Sequence, residues 1–213
     1  VDLKAVALGH KDGNVIVVND SIQSPSDMKG KTFAIPSTQS SHYILLLEEL
    51  QKAGLTLDDI QVTQLAPSEM PSSLASGAID GYCVAEPFGA QAVTNGFGNV
   101  LARSEDLWED SVCCGLIFRT DVIEQNPKAF QTFLEKYQEA GKKLDKEEAT
   151  RIAENYLGQD AKTLETSLEW ISYDDLTITR EAYNDLYEKV LSDHMIENPP
   201  TYDDFVYTTD GKE

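Results

Sequence analysis

Two segments place a short apolar run directly before small and polar residues that open a helical pattern. They are Lys31-Thr32-Phe33-Ala34-Ile35-Pro36-Ser37-Thr38-Gln39-Ser40-Ser41-His42-Tyr43 and Asp80-Gly81-Tyr82-Cys83-Val84-Ala85-Glu86-Pro87-Phe88. A strand that hands over to a helix in this way is the repeating step of an α/β fold. The carboxyl edge of its parallel strands is where such folds bind small molecules.

In the first segment, Thr32 to Ile35 is apolar and rich in β-formers, with turn signals on both sides, and predicts a buried strand. Tyr43, Leu46, Leu47, Leu50 and Ala53 then recur at helical spacing, and Gly54 ends the pattern. Ser37 to Ser41 therefore covers a helix start, where N–H groups without intrahelical partners and the summed peptide dipoles accept an anionic or electron-rich oxygen. Ser and Thr at such a position also serve as caps. One cap is enough, however, and five polar residues, Ser37, Thr38, Gln39, Ser40 and Ser41, run together here, which favours a ligand site.

Beyond Gly54, Ile60 to Leu65 alternates as a half-buried strand, Pro67-Ser68-Glu69-Met70 opens a helix that ends at Gly77, and Ile79 to Val84 forms the next strand. The order implies parallel βαβ crossovers, which bring Ser37 to Ser41, Ala66-Pro67 and Ala85-Glu86 to one sheet edge. Glu86 has two readings of equal weight, a ligand contact and a carboxylate favoured at the start of the helix that begins at Pro87.

The stretch from Asp27 to Phe130 resembles the substrate-binding proteins of ABC importers in the nitrate, sulfonate and taurine family. The likeness rests on the order and spacing of Asp27-Met28-Lys29-Gly30-Lys31, Ser40-Ser41-His42-Tyr43 and Leu65-Ala66-Pro67, followed by Gly77-Ala78-Ile79-Asp80-Gly81, Glu86-Pro87-Phe88 and Asn126-Pro127. The resemblance implies an α/β type II periplasmic-binding-protein fold, in which two lobes with a parallel-rich sheet close on a ligand that is then delivered to a membrane permease. By position it implies ligand contacts from Gln39, Ser40, Ser41, His42 and Glu86, and from His10, while Ser37, Thr38 and Ala66 join the candidate site through the helix start and the shared sheet edge read above. Ala85 stands where some nitrate-type members carry an aromatic residue, a departure from the pattern.

In the family pattern, residues 1–18 are part of lobe I, 19–110 form lobe II, and 111–213 return to lobe I and its C-terminal helices. Val1 to Leu8 reads as a late strand of lobe I and Val15 to Val18 as the crossover. The first half of lobe I is thus expected to be missing, the remaining part to be marginal alone or completed by another chain, and ligand binding by residues 1–213 alone to be weak. The resemblance also implies an extracytoplasmic location, with the targeting segment outside this chain. No stretch has the length and apolarity of a transmembrane helix.

The formal net charge of −20 argues against nucleic acid or an anionic membrane surface as a partner, because no basic patch is available to release counterions. The acidic clusters Asp174-Asp175 and Asp203-Asp204 read as solvated faces. Cys83, Cys113 and Cys114 cannot make a disulfide framework, and their spacing suggests no metal. All three read as small core hydrophobes, with Cys113 or Cys114 in the cleft as the alternative.

Val112 to Phe118 predicts another strand. Helical patterns follow over Lys128–Leu144, Glu147–Leu157, Ala161–Trp170 and Arg180–Leu191. Asn198-Pro199-Pro200 is a break, and the tail to Glu213 is expected to be extended or loosely packed. His194 is read as a surface residue. Lys11 to Asn14, after His10, reads as a hairpin-like turn.

No nucleophile elbow, phosphate loop or metal motif is present, so a binder is preferred to an enzyme, and no cofactor is expected. Two alternatives share the fold: a binder or synthase-like relative handling a pyrimidine thiamine precursor, and the effector-sensing domain of a regulator.

Overall fold

The computed structural model describes residues 2–109, 111–158 and 160–208. In chain order its strands are β1 Leu3–Leu8, β2 Lys11–Asp12, β3 Asn14–Val18, β4 Thr32–Ile35, β5 Gln61–Gln64, β6 Gly81–Ala85, β7 Asn99–Arg103, β8 Gly115–Arg119 and β9 Ile171–Ser172. The helices are α1 Ser41–Lys52, α2 Met70–Ala75, α3 Phe88–Thr94, α4 Ser104–Leu107, α5 Thr120–Gln125, α6 Pro127–Lys143, α7 Lys146–Leu157, α8 Ala161–Ser167, α9 Arg180–Ser192 and α10 Tyr202–Phe205. None of these helices is long and apolar enough to cross a membrane. The chain divides into two units. One comprises residues 1–11, 112–144 and 173–213, and the other residues 12–111 and 145–172.

The larger unit is built on a five-stranded sheet in the order β5-β4-β6-β3-β7. The predicted crossovers are present: β4 runs parallel to β5 and to β6, with α1 and α2 in the connections. Into this parallel set β3 inserts antiparallel, paired on both sides with β6 and β7. Two paired edges and two covered faces explain its uniformly apolar run, and every residue from Asn14 to Val18 is buried. Phe33 lies across Gly81, where an added Cβ would come within 2.5 Å of the ring. The glycine thus lets a fully buried aromatic ring pack directly on the β6 backbone. Val15, Val17, Ala34, Met70, Leu74, Tyr82, Val84 and Ala90 form one core with Trp170.

The smaller unit has a two-stranded antiparallel sheet, β1 with β8. Among the described residues, its buried apolar side chains include two clusters. Ala5, Leu8, Leu176, Ile178, Tyr183 and Val206 make one, and Val6, Ala7, Ile123, Phe130 and Leu134 the other. Ile117 on β8 and Phe133 on α6 stay 46% and 43% exposed, which a sheet of two strands cannot prevent.

Three expectations differ from this arrangement. Residues 12–18 belong to the larger unit because β3 is central in its sheet. Residues 145–172 also belong there, because α8 packs on α3 and Trp170 enters the sheet core. The tail is not loose as far as it is described: α10 forms, Val206 bridges Ala5 and is buried, and the Tyr207 N–H donates to the Ala5 carbonyl at 2.8 Å. The lobe II boundary expected at residue 110 and the last five tail residues, 209–213, lie outside the described residues.

Candidate functional site

The loop between β4 and α1 carries Ser37 to Ser41. Ser40 is the N-cap residue, extended at φ −113° and ψ 157°, yet its hydroxyl makes no bond to the helix N–H groups. It donates instead to the Ser37 carbonyl at 2.7 Å, while the Gln39 N–H donates to the Ser37 hydroxyl at 3.1 Å. Two side chains that could have capped the helix are therefore spent on the loop, and the twelve-residue α1 begins without a side-chain cap. Thr38 and Gln39 are exposed, Ser37, Ser40 and Ser41 half-buried, and His42 is buried within the first turn.

The register places two further strand ends beside this loop. Ile35 of β4 is paired with Gln64 of β5, and Ala34 with Tyr82 of β6, so the residues after all three strands share one sheet edge. Ala66 follows β5, is exposed, and donates its N–H to the Glu69 carboxylate at 3.2 Å. Glu86 follows β6. Its carboxylate turns onto the start of α3, where both oxygens accept from the Ala90 N–H at 3.1 and 3.2 Å. An added Cβ at Gly89 would come within 2.5 Å of Glu86 Oε1, so the glycine gives this carboxylate its place. Burial pushes the Glu86 carboxyl up to about 7, although the Ala90 N–H, the Ser167 hydroxyl and the Arg103 guanidinium all favour its charged form. The structure thus contains the helix-start role foreseen for Glu86.

The structure adds polar groups that the sequence reading did not include. Asn14 opens β3 opposite Ala85 and is buried. Arg103 ends β7 opposite Val15, and its guanidinium lies 4.8 Å from the centre of the Trp170 ring. A signal was available, since Arg103 is the single Lys or Arg between Lys52 and Arg119. Because β3 and β7 run antiparallel to each other, the end of β7 meets the start of β3, at the edge where β6 ends.

His10 belongs to the smaller unit. It lies with Cys113 and Cys114, and the ligand atoms of the three side chains are all within 4.8 Å of one another. Cys83 is a buried core residue, as its strand position predicts, and burial raises its thiol pKa. Cys114 is exposed and Cys113 half-buried, which corrects their reading as core hydrophobes.

Comparison with known proteins adds the lineage. A ligand-binding component of an ABC-type import system from Staphylococcus aureus, solved with zinc bound, is 34% identical with a TM-score of 0.90, over 97% of this chain and 72% of that one. The periplasmic aliphatic sulphonate-binding protein SsuA of Escherichia coli is 21% identical with a TM-score of 0.78, over all of this chain and 72% of that one, a likeness of fold. The nitrate/nitrite binding protein NrtA of Nostoc sp. is 30% identical over 129 residues, 60% of this chain and 29% of that protein. The desulfurization enzyme DSZB shares the fold at 12% identity. The chain spans about half the length, or less, of the curated relatives it matches. With the NMT1-like family matched over residues 2–158 and the type II binding-protein fold in place, the chain belongs to the NMT1-like family, among the relatives of nitrate-, sulfonate- and taurine-binding proteins.

Proposed function

We propose that this chain is part of an extracytoplasmic solute-binding component of an ABC importer. It holds a small polar solute of the nitrate, sulfonate or taurine kind and hands it to a membrane permease, without chemistry on the solute. The observation that carries this reading is the start of α1. Ser40 occupies the cap position while its hydroxyl bonds the Ser37 carbonyl, so the positive end of a twelve-residue helix faces exposed polar residues rather than its own cap. Such an end binds the oxygens of an anion, and the overall charge of −20 does not oppose this, because distant surface charge is screened beyond about 8 to 10 Å. Gln39, Ser41 and His42 are the residues closest in sequence to that helix end. Glu86 and Arg103, at the neighbouring strand ends, distinguish solutes with a hydrogen-bond donor from bare anions.

The test is a titration of the isotopically labelled protein with nitrate, methanesulfonate and taurine, followed through backbone amide resonances. The expected result is saturable shifts centred on the Ser41 and His42 amides, weakened roughly tenfold or more, about 1.4 kcal/mol, by Gln39→Ala. Shifts absent from residues 38–42, or unchanged in the variant, overturn the assignment. Mass spectrometry of small molecules released from the purified protein then identifies the solute.

A further inference from the structure

The smaller unit carries a group of side chains that the solute-binding reading does not use. Between β1 and β8 the register changes at Ala5/Ala7: Ala5 faces Ile117, whereas Ala7 faces Leu116 and Leu8 faces Gly115. This irregularity advances one strand by one residue. Beyond the strand ends the pairing continues, with the Gly9 N–H donating to the Cys114 carbonyl at 2.7 Å. Carried one step further, the same register sets His10 opposite Cys113. Without the shift, the partner of His10 would be Val112, an apolar residue.

The absence of a side chain at Gly9 helps the two segments approach, since a Cβ there would lie 3.2 Å from Cys114 Cβ. The two thiols are neighbours in sequence and still converge, with Sγ atoms 3.7 Å apart. Together with the imidazole of His10 they place three ligand atoms within 4.8 Å of one another. Zinc bonds of about 2.3 Å to sulfur and 2.0–2.1 Å to nitrogen give tetrahedron edges of roughly 3.5–3.8 Å. The sulfur pair already has that spacing, and small side-chain rotations bring the imidazole to it.

We propose that His10, Cys113 and Cys114 form a binding site for a zinc-class divalent ion, with two thiolates and one imidazole as ligands. The donor set is the soft and borderline one that zinc prefers over magnesium or calcium. Two thiolates balance the charge of the ion. Three protein ligands leave the fourth position of a tetrahedron open for water or a ligand oxygen, as in zinc sites that exchange a ligand. This assignment is independent of the solute-binding reading, which uses residues of the other unit.

The test is a cobalt(II) titration of the reduced, purified protein, followed by displacement with zinc. One equivalent is expected to produce a near-ultraviolet thiolate-to-cobalt band and the visible bands of a tetrahedral centre, both abolished by zinc. Cys113→Ser, Cys114→Ser and His10→Ala should each weaken binding roughly tenfold or more. His10→Cys should retain binding and strengthen the charge-transfer band, and Cys83→Ala should leave the titration unchanged. Circular dichroism of each variant separates loss of ligand from loss of fold. Cobalt bound without thiolate bands, binding undiminished in a Cys113→Ser/Cys114→Ser double variant, or no binding by the reduced protein overturns the proposal. So does a Cys113–Cys114 disulfide that persists under reducing conditions.

Discussion

The two units bury apolar surface by different means. In the larger one β3 is flanked by β6 and β7, every residue from Asn14 to Val18 is buried, and helices such as α1 and α3 pack on the sheet. In the smaller one a two-stranded sheet is covered by α5, α6, α9 and α10, and Ile117, Val122 and Phe133 remain more than 40% exposed. The larger unit holds its structure through depth, the smaller through many partly wet contacts among aromatic rings. Phe133, for example, has its ring 5.3 Å from that of Phe118 and stacks at 6.1 Å on Tyr137. The contrast shows how a sheet edge can be made rigid: the junctions after β4, β5 and β6 hang from the better-buried sheet.

Equivalent truncations in the two units give the largest expected difference. Phe33→Ala removes a ring with no exposed surface and should cost about 3–5 kcal/mol in urea unfolding, whereas Phe133→Ala, at 43% exposure, should cost about 1 kcal/mol. Equal costs would break the comparison. Glu86 gives the next effect. Its carboxyl titrates near 7 in the folded chain against an ordinary 4.5, so the folded state binds the proton more tightly. That contribution is complete below pH 4.5, is lost as pH rises through 7, and amounts to about 3 kcal/mol. Glu86→Gln should flatten this dependence in melts taken from pH 4 to 8, and an unchanged profile would mean that another group causes it.

Gly89→Ala places a methyl group within 2.1 Å of Val15 Cγ2 and should cost about 1–3 kcal/mol by the same urea measurement. Hydrogen exchange sharpens the comparison without a mutation: amides of β3, β4 and β6 should be the slowest in the chain and those of β8 clearly faster. The smallest effect is expected at Arg180, whose guanidinium pairs with Asp203 and lies 4.2 Å from the Tyr202 ring centre on an exposed face. Arg180→Ala should barely move the melting midpoint.

The sequence revealed the parts of the fold whose causes are local. The strand read at Thr32 to Ile35 is β4, the alternation from Ile60 to Leu65 contains β5, and helical spacing after His42 ends at Gly54 just beyond α1. The shared edge of Ser37–Ser41, Ala66 and Glu86 was also legible, because parallel crossovers put the carboxyl ends of neighbouring strands on one side once the element order is known. What escaped depends on pairing across long stretches of chain. Residues 15–18 look like any buried strand, and nothing in their composition says that they run antiparallel between β6 and β7. The Asp145–Ser172 segment is amphipathic whichever unit it covers. His10 and Cys113 are brought together by a register shift inside β1, a property of two strands jointly and of neither sequence alone. The turn of Ser40 away from α1 is likewise a choice between two acceptors, both of which the sequence offers.

The bridge from Ala5 to Val206 carries a consequence for how the molecule is assembled. The Lys4 ammonium donates to the Asp204 carbonyl, a contact between residues 200 positions apart. The Ala5 carbonyl receives the Tyr207 N–H beside it. During synthesis β1 therefore waits for a segment some 200 positions later before its last backbone partner exists, while β3 through β7 can pair as soon as residue 103 has emerged. The smaller unit is the late step of folding, and its exposed β1 edge during that interval is where a chaperone or a misplaced strand would first find purchase.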